Sequence, residues 1–148
     1  MKTIFDDITR EQLIRRINTL NENSKPQWGK MNIYQMLKHC NLAEALYLGK
    51  TQHKRVFLGR VLGRWALSNM LKDATPMQRN APTSNHFKVT DTTGDIEAEK
   101  NKWISQLEEY ANYPQVDFIH WFFGKMTCEQ LGQFVYKHTD HHLRQFNS

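Results

Sequence analysis

Cysteine and long apolar runs are scarce in this 148-residue sequence. The two cysteines, Cys40 and Cys128, are isolated and form no CxxC pair, so a disulfide framework is not indicated. No apolar run approaches the roughly 20 residues that a transmembrane helix needs. The first five residues are followed at once by Asp6 and Asp7 instead of the apolar core of a signal peptide. We therefore predict a cytoplasmic protein with no stable membrane association.

The composition is that of a folded domain. Hydrophobic residues make up 39% of the chain and charged residues 24%, and the 8 Phe, 5 Tyr and 4 Trp argue against disorder. The length predicts one domain, residues 1–148, that buries its own core. The net charge of +5 is modest and comes without an RNA-binding aromatic signature, zinc-finger spacing or a basic tail. We predict no nucleic-acid partner.

Four segments have the apolar spacing of long helices. Each follows a residue that can cap a helix, and the predicted N-caps are Thr9, Asn32, Asp95 and Thr127. Between the second and third helices, residues 50–72 are basic and apolar with no acid, and residues 75–94 have no helical period. The sequence therefore predicts an all-α four-helix bundle with a long crossover between helices 2 and 3.

The crossover and the aromatic segment before the last helix leave alternatives open. Residues 50–72 are predicted to lie over the bundle with solvated arginines, or else to form a helix for an anionic partner or membrane surface. Residues 75–94 are predicted to shape the mouth of a site. Residues 114–124 are predicted to form a loop in which His120 packs locally or reaches that mouth.

The last helix carries the main chemical signal. His138 and His142 are four residues apart and project from one face, which is the spacing of two metal ligands on one helix. Thr139 occupies the place of the glutamate in HExxH, so a zinc peptidase is not indicated. His39 lies in the apolar stripe of the second helix and is the candidate third ligand. Gln145, one turn beyond His142, is placed to form a hydrogen bond in the second shell of the site.

A structural explanation competes with the metal site, because a lone histidine on an apolar face is more often a hydrogen-bonded core residue. Three buried imidazoles without metal would, however, need partners for several ring nitrogens. Three protein ligands leave a position open for water or substrate. Nitrogen-only ligation suits zinc or nickel, with iron(II) or cobalt as further candidates, and these residues do not choose among them.

Several stretches of the sequence resemble the DinB/YfiT-like superfamily, over roughly residues 28–146. These stretches are Trp28–Met31, Gln35–Cys40, Phe123–Thr127 and Tyr136–Phe146. The last of them is similar to a KHxDHHLRQF-type motif that ends a small branch of the superfamily.

The resemblance implies a four-helix bundle in which His39, His138 and His142 bind a divalent metal, whereas His141 has no ligand role. It also implies a homodimer. Characterised relatives include transferases that use bacillithiol, mycothiol or glutathione, and a maleylpyruvate isomerase, in which the metal is thought to activate the thiolate of the cofactor.

We therefore expect a metal-dependent transferase that adds a low-molecular-weight thiol to a small electrophilic substrate, with Arg55, Arg60 and Arg64 attracting an anionic thiol. One alternative is metal-assisted hydrolysis, which needs a general base that the sequence does not evidently place. The other is a non-catalytic binding or stress-response module whose histidines retain or have lost metal.

Overall fold

Five α-helices and one short β-hairpin make up the computed structural model, which describes all 148 residues. The helices are α1 (Asp7–Thr19), α2 (Ile33–Tyr47), α3 (Phe57–Met70), α4 (Ile96–Glu108) and α5 (Cys128–Gln145). The strands β1 (Phe118–His120) and β2 (Gly124–Met126) pair antiparallel. The chain is mostly helical, as predicted. None of its helices combines the length and the apolar character needed to cross a bilayer.

Side-chain caps fix where most of the helices begin. Asn32 and Thr127 each form a capping box with the glutamine three residues later, and Asp95 accepts a hydrogen bond from the Ala98 N–H. The prediction for α1 was wrong by one turn. Asp6, not Thr9, is its N-cap, and its carboxylate accepts from the Thr9 N–H at 2.7 Å. A carboxylate at this position also interacts favourably with the positive end of the helix dipole.

The aromatic segment 114–124 was predicted to be a loop, and in the structure it includes β1 and the turn that joins β1 to β2. Gly124 begins β2 at φ +80°, a conformation that L side chains rarely adopt. This hairpin packs against α3 and α5, and it places His120 in the interior of the protein.

The core lies where α2 packs on α4 and α5, and where α1 packs on α4 and α5. Its largest fully buried side chains come from all four of these helices: Leu13, Ile17, Met36, Leu37, Trp103, Leu107 and Leu131. Cys40 is buried among them with its Sγ 3.6 Å from the Met36 Sδ, so it is a packing thiol of the core.

One carboxylate is fully enclosed in this core. The Glu44 side chain on α2 is 0% exposed and accepts a hydrogen bond at 2.6 Å from the Tyr110 hydroxyl. The hydroxyl of Thr139 on α5 lies 3.5 Å from its other oxygen. Burial raises the pKa of Glu44 from 4.5 to about 7, against the opposing effect of these hydrogen bonds.

Helix α3 lies within the crossover between α2 and α4, and its glycines face the interior of the protein. Gly59 and Gly63 are buried against the backbone of Phe122, whereas large apolar side chains point to solvent. Those exposed side chains are Phe57, Leu58, Val61, Leu62 and Trp65. At the C-terminal end of the helix, the Lys137 ammonium donates to the carbonyls of Met70 and Asp73 at 2.6 and 2.9 Å. The helix is therefore held in place by close backbone contact and by a lysine cap.

Gly63→Ala is expected to lower the free energy of unfolding by about 1–3 kcal/mol, because overpacking a close contact is destabilising. A Cβ at this position would lie 2.2 Å from the Phe122 carbonyl oxygen. Val61 on the same helix is 64% exposed, so the free energy of unfolding of Val61→Ala should stay within about 0.5 kcal/mol of the wild-type value. Urea unfolding measures the free energy of unfolding of both variants. Equal stabilities would contradict the close contact between α3 and the hairpin.

Candidate metal centre

Two helices bring the three predicted ligands together. His39 lies midway along α2, and His138 and His142 lie one turn apart on α5. The ring centroid of His142 is 4.8 Å from that of His39 and 4.7 Å from that of His138. One ligand atom from each residue lies within 4.8 Å of the other two, so this group could hold a metal ion. His39 and His142 are buried and His138 is partly buried.

The orientation of His39 is fixed from outside its own helix. Its Nδ1 lies 3.0 Å from the carbonyl oxygen of Phe87, in a short 3₁₀ turn (Asn85–Phe87) of the loop between α3 and α4. Because a carbonyl oxygen only accepts, Nδ1 carries the proton and Nε2 keeps its lone pair. A second-shell carbonyl of this kind orients a metal-binding imidazole and sets its tautomer.

His142 is held in the same tautomer by a two-step relay. Its Nδ1 lies 2.9 Å from Oε1 of Gln145, and the Gln145 Nε2 donates to the Trp28 carbonyl at 2.9 Å. The second bond fixes which end of the amide faces the ring, so His142 Nδ1 is the donor and Nε2 keeps a lone pair. Gly29 allows the close approach, since its φ is +82° and a Cβ there would lie 2.7 Å from Gln145 Nε2. Gln145 thus makes the hydrogen bond that its spacing predicted.

His138 differs from the other two rings because its Nδ1 is enclosed without a hydrogen-bond partner. A buried polar atom left unpaired costs free energy. A cation bound at this nitrogen would remove that cost. Burial lowers the pKa of all three rings, and neighbouring imidazoles lower the pKa of His138 and His142 further. The three imidazoles are therefore neutral near pH 7, the form in which histidine binds metal.

A cavity of about 510 Å³ lies directly against the three histidines. Its walls come from α2, α3, α5, the hairpin and the loop 75–94, which confirms that this loop lines the site. The cavity lining is mostly apolar and contains no carboxylate: Tyr47, Ala66, Met70, Met77, Gln78, Ala81, Pro82, Thr83, Ser84, Phe87, Trp121, Phe122, Phe123 and Phe134 accompany five histidines. His141 lines this cavity but is not part of the three-residue group.

Several charged side chains around the site have structural partners. The Asp140 side chain on α5 is only 13% exposed and pairs with Arg16 at 2.6 Å and Arg144 at 2.8 Å, and the pair with Arg16 ties α5 to α1. The arginines expected to attract a thiol cofactor do not line the cavity. Arg55 donates to the Gly59 carbonyl and Arg64 to the Lys125 carbonyl, so both brace the α3 region.

Two contributors to the site were missed, and a third, His120, was predicted only as an alternative. The carbonyls of Phe87 and Trp28 are backbone groups, so no side-chain type marks them in a sequence. The glycine that follows Trp28 was the one available signal, because it permits a close backbone approach. His120 was expected mainly to pack locally, yet it lines the cavity.

Comparisons with known proteins add one finding. Searches of curated proteins and of solved structures each return no match. A family model described as a protein of unknown function, DUF1569, matches residues 5–148. Since this match includes all five helices and every residue of the histidine site, the chain belongs to the DUF1569 family.

Proposed function

We propose that this protein is a divalent-metal-dependent enzyme that transfers a low-molecular-weight thiol to a small electrophilic substrate. The observation that carries the proposal is the convergence of three neutral imidazoles, two with their tautomers fixed by hydrogen bonds, on one side of an apolar cavity. Such an arrangement offers lone pairs to a cation and leaves room for a substrate beside it.

The residues present fit a divalent cation. His39, His138 and His142 would hold it, and the unpaired Nδ1 of His138 is the atom that most needs such a partner. Zinc or nickel suits three nitrogen ligands, and iron(II) or cobalt is compatible with them. When bound, the cation would lower the pKa of a thiol brought next to it.

The chain's own residues support thiol transfer over hydrolysis. The sulfur of the thiolate forms a bond to an electrophilic carbon, the leaving group departs with the bonding electrons, and the thiol proton passes to solvent. This reaction needs no general base from the protein once the thiolate is present. Hydrolysis needs a group to take a proton from water, and because the cavity lining contains no Asp or Glu, only a histidine of the lining would fill that role. The apolar walls would bind the electrophile and exclude water.

We also propose that α1, α2, α4 and α5 form a bundle of the DinB/YfiT-like type, with α3 inside the crossover. The packing of α2 on α4 and α5, and of α1 on the same two helices, supports this assignment. The homodimer that the resemblance implies stays a prediction.

The proposal is tested by thiol consumption. Zinc- or nickel-loaded protein, incubated with glutathione, bacillithiol or mycothiol and monochlorobimane, is expected to form the fluorescent thioether faster than the same mixture without protein. His39→Ala should reduce the rate to that of the uncatalysed reaction, because one of three ligands is lost. His53→Ala removes a histidine that does not line the cavity, and it should keep the wild-type rate.

Failure across a panel of thiols and electrophiles would contradict thiol transfer. Turnover of an ester or amide panel with metal but without thiol would favour hydrolysis instead. A protein that binds metal and ligands but turns over neither panel would support the non-catalytic binding module.

A further inference from the structure

His120, the last residue of β1, presents a second kind of imidazole to the cavity. The backbone N–H groups of Phe122 and Phe123 both donate to its Nδ1, at 3.1 and 3.2 Å. Because an amide N–H only donates, Nδ1 must carry a lone pair, and the ring proton of neutral His120 resides on Nε2. The hairpin turn therefore locks the tautomer opposite to that of His39 and His142.

The two kinds of imidazole present opposite groups to a bound ligand at Nε2, a lone pair in one kind and an N–H donor in the other. His39 and His142 donate through Nδ1 to protein oxygens and keep Nε2 as a lone-pair donor for a cation. His120 accepts through Nδ1 and keeps Nε2–H as a hydrogen-bond donor. Both kinds line the same cavity, and Tyr47 and Phe134 contact both His120 and His138. A single aromatic ring, Tyr47 or Phe134, thus lies between His120 and the candidate ligand His138.

His120 stays neutral under ordinary conditions. Burial lowers its pKa to about 3, with further lowering by the positive charge of Arg55 and by His53. The residue is 4% exposed and lines the cavity, and no protein group accepts a hydrogen bond from its Nε2–H. A ligand oxygen in the cavity would supply that acceptor.

The rest of the cavity indicates what carries that oxygen. The cavity-lining rings beside His120 are Tyr47, Trp121, Phe123 and Phe134. Met70 and Met77 add thioethers elsewhere in the lining. Together these side chains match an apolar body, aromatic or branched aliphatic. With no Asp or Glu in the lining, no protein carboxylate would repel an anion there. A hydrogen bond from a neutral imidazole to a carboxylate is charge-assisted and stronger than one to a neutral acceptor.

We propose that His120 is a substrate-binding residue that donates its Nε2–H to a carboxylate oxygen of the ligand, and that the ligand is an apolar carboxylic acid. Placing the substrate in this cavity rests on the proposed function, whereas the tautomer of His120 does not. Since Nδ1 is occupied by two backbone donors, His120 acts by binding and orientation, not by accepting a proton.

Phenylacetate binding to the zinc-loaded and the metal-free full chain, measured by isothermal titration calorimetry, tests the proposal. His120→Phe should weaken binding by roughly tenfold or more, which is the effect of one charge-assisted hydrogen bond. His120→Gln places an amide N–H near the same point and should recover part of the loss. Ile119→Ala changes the 67% exposed neighbour of His120 on β1, which does not line the cavity, and should bind phenylacetate as wild type does.

A second measurement needs no variant and so does not depend on whether His120→Phe folds. Ring ¹⁵N chemical shifts should show His120 with Nδ1 unprotonated and Nε2 protonated from about pH 5 to about pH 8. A protonated Nδ1, equal affinity of wild type and His120→Phe, or no phenylacetate binding to wild type at millimolar concentration would each overturn the proposal. Binding that depends on His120 in a protein without metal or thiol turnover would refute the proposed function and leave this inference standing.

Discussion

Replacing His138 and His142 together with alanine is expected to abolish stoichiometric metal binding. Wild-type protein, purified untagged and without chelators, should contain close to one equivalent of a divalent metal, and the double variant should contain none above background. The physical reason is that one remaining imidazole on α2 cannot hold an ion that three nitrogens bind together. Inductively coupled plasma mass spectrometry gives the metal content and names the ion.

Two further variants test whether the loss of metal is specific to the three candidate ligands. His53→Ala removes a histidine that stacks on His86 outside the cavity, and its metal content should match wild type. Gln145→Ala keeps all three ligands but breaks the relay from His142 to Trp28, so metal affinity should fall by roughly 10–100-fold without being lost. Absence of metal from wild type, even after reconstitution with zinc and nickel, would reduce the three histidines to core residues.

Glu44→Gln is expected to change how stability depends on pH. The pKa of Glu44 is about 7 in the folded protein and 4.5 in its ordinary state, so the folded protein binds this proton more tightly than the unfolded chain. The resulting stabilisation is complete below pH 4.5 and is lost as the pH rises to about 7 and above. At about 1.4 kcal/mol per pKa unit, the loss is about 3 kcal/mol. Glutamine stays neutral and can still accept from the Tyr110 hydroxyl.

The comparison is made by urea unfolding at several pH values. The stability of Glu44→Gln relative to wild type should rise by about 3 kcal/mol between about pH 4.5 and about pH 8. The difference between the two curves isolates Glu44, because the buried histidines, whose lowered pKa values destabilise the fold as the pH falls, are common to both. Glu108→Gln on the exposed side of α4 is the matched control and should run parallel to wild type. A flat difference curve for Glu44→Gln would show that Glu44 is charged in the fold.

The sequence was informative wherever side chains on one helix point in the same direction. His138 and His142 were found from helical periodicity, and their neighbours Thr127 and Gln130 marked the start of the helix. His39 was recognised because it interrupts an apolar stripe on α2, although 99 residues separate it from His138. The predicted bundle brought these two helices together, which periodicity alone does not supply, and the resemblance to the DinB/YfiT-like superfamily implied the same pairing.

The parts that the sequence did not reveal depend on backbone and on tertiary contact. The hairpin of residues 118–126 was missed because each strand is only three residues long, too short for an alternating pattern. The orientation of α3 was left open, because its large apolar side chains face solvent and its glycines face the protein, which reverses the usual rule. The tautomer of His120 depends on two backbone N–H groups, which any residue other than proline provides.

The bond between His39 and the Phe87 carbonyl has a consequence for how the site could adapt. The loop that supplies this carbonyl also lines the entrance of the cavity, through residues such as Met77 and Pro82. A bulky ligand that pushed the loop outward would move the carbonyl away from His39 and break the hydrogen bond that orients the ring. Insertions or substitutions in residues 75–94 would therefore change both the metal affinity and the size of the molecule that the cavity accepts, with all three metal-binding histidines unchanged. For protein engineering, changes to this one loop would therefore alter both metal binding and ligand selectivity.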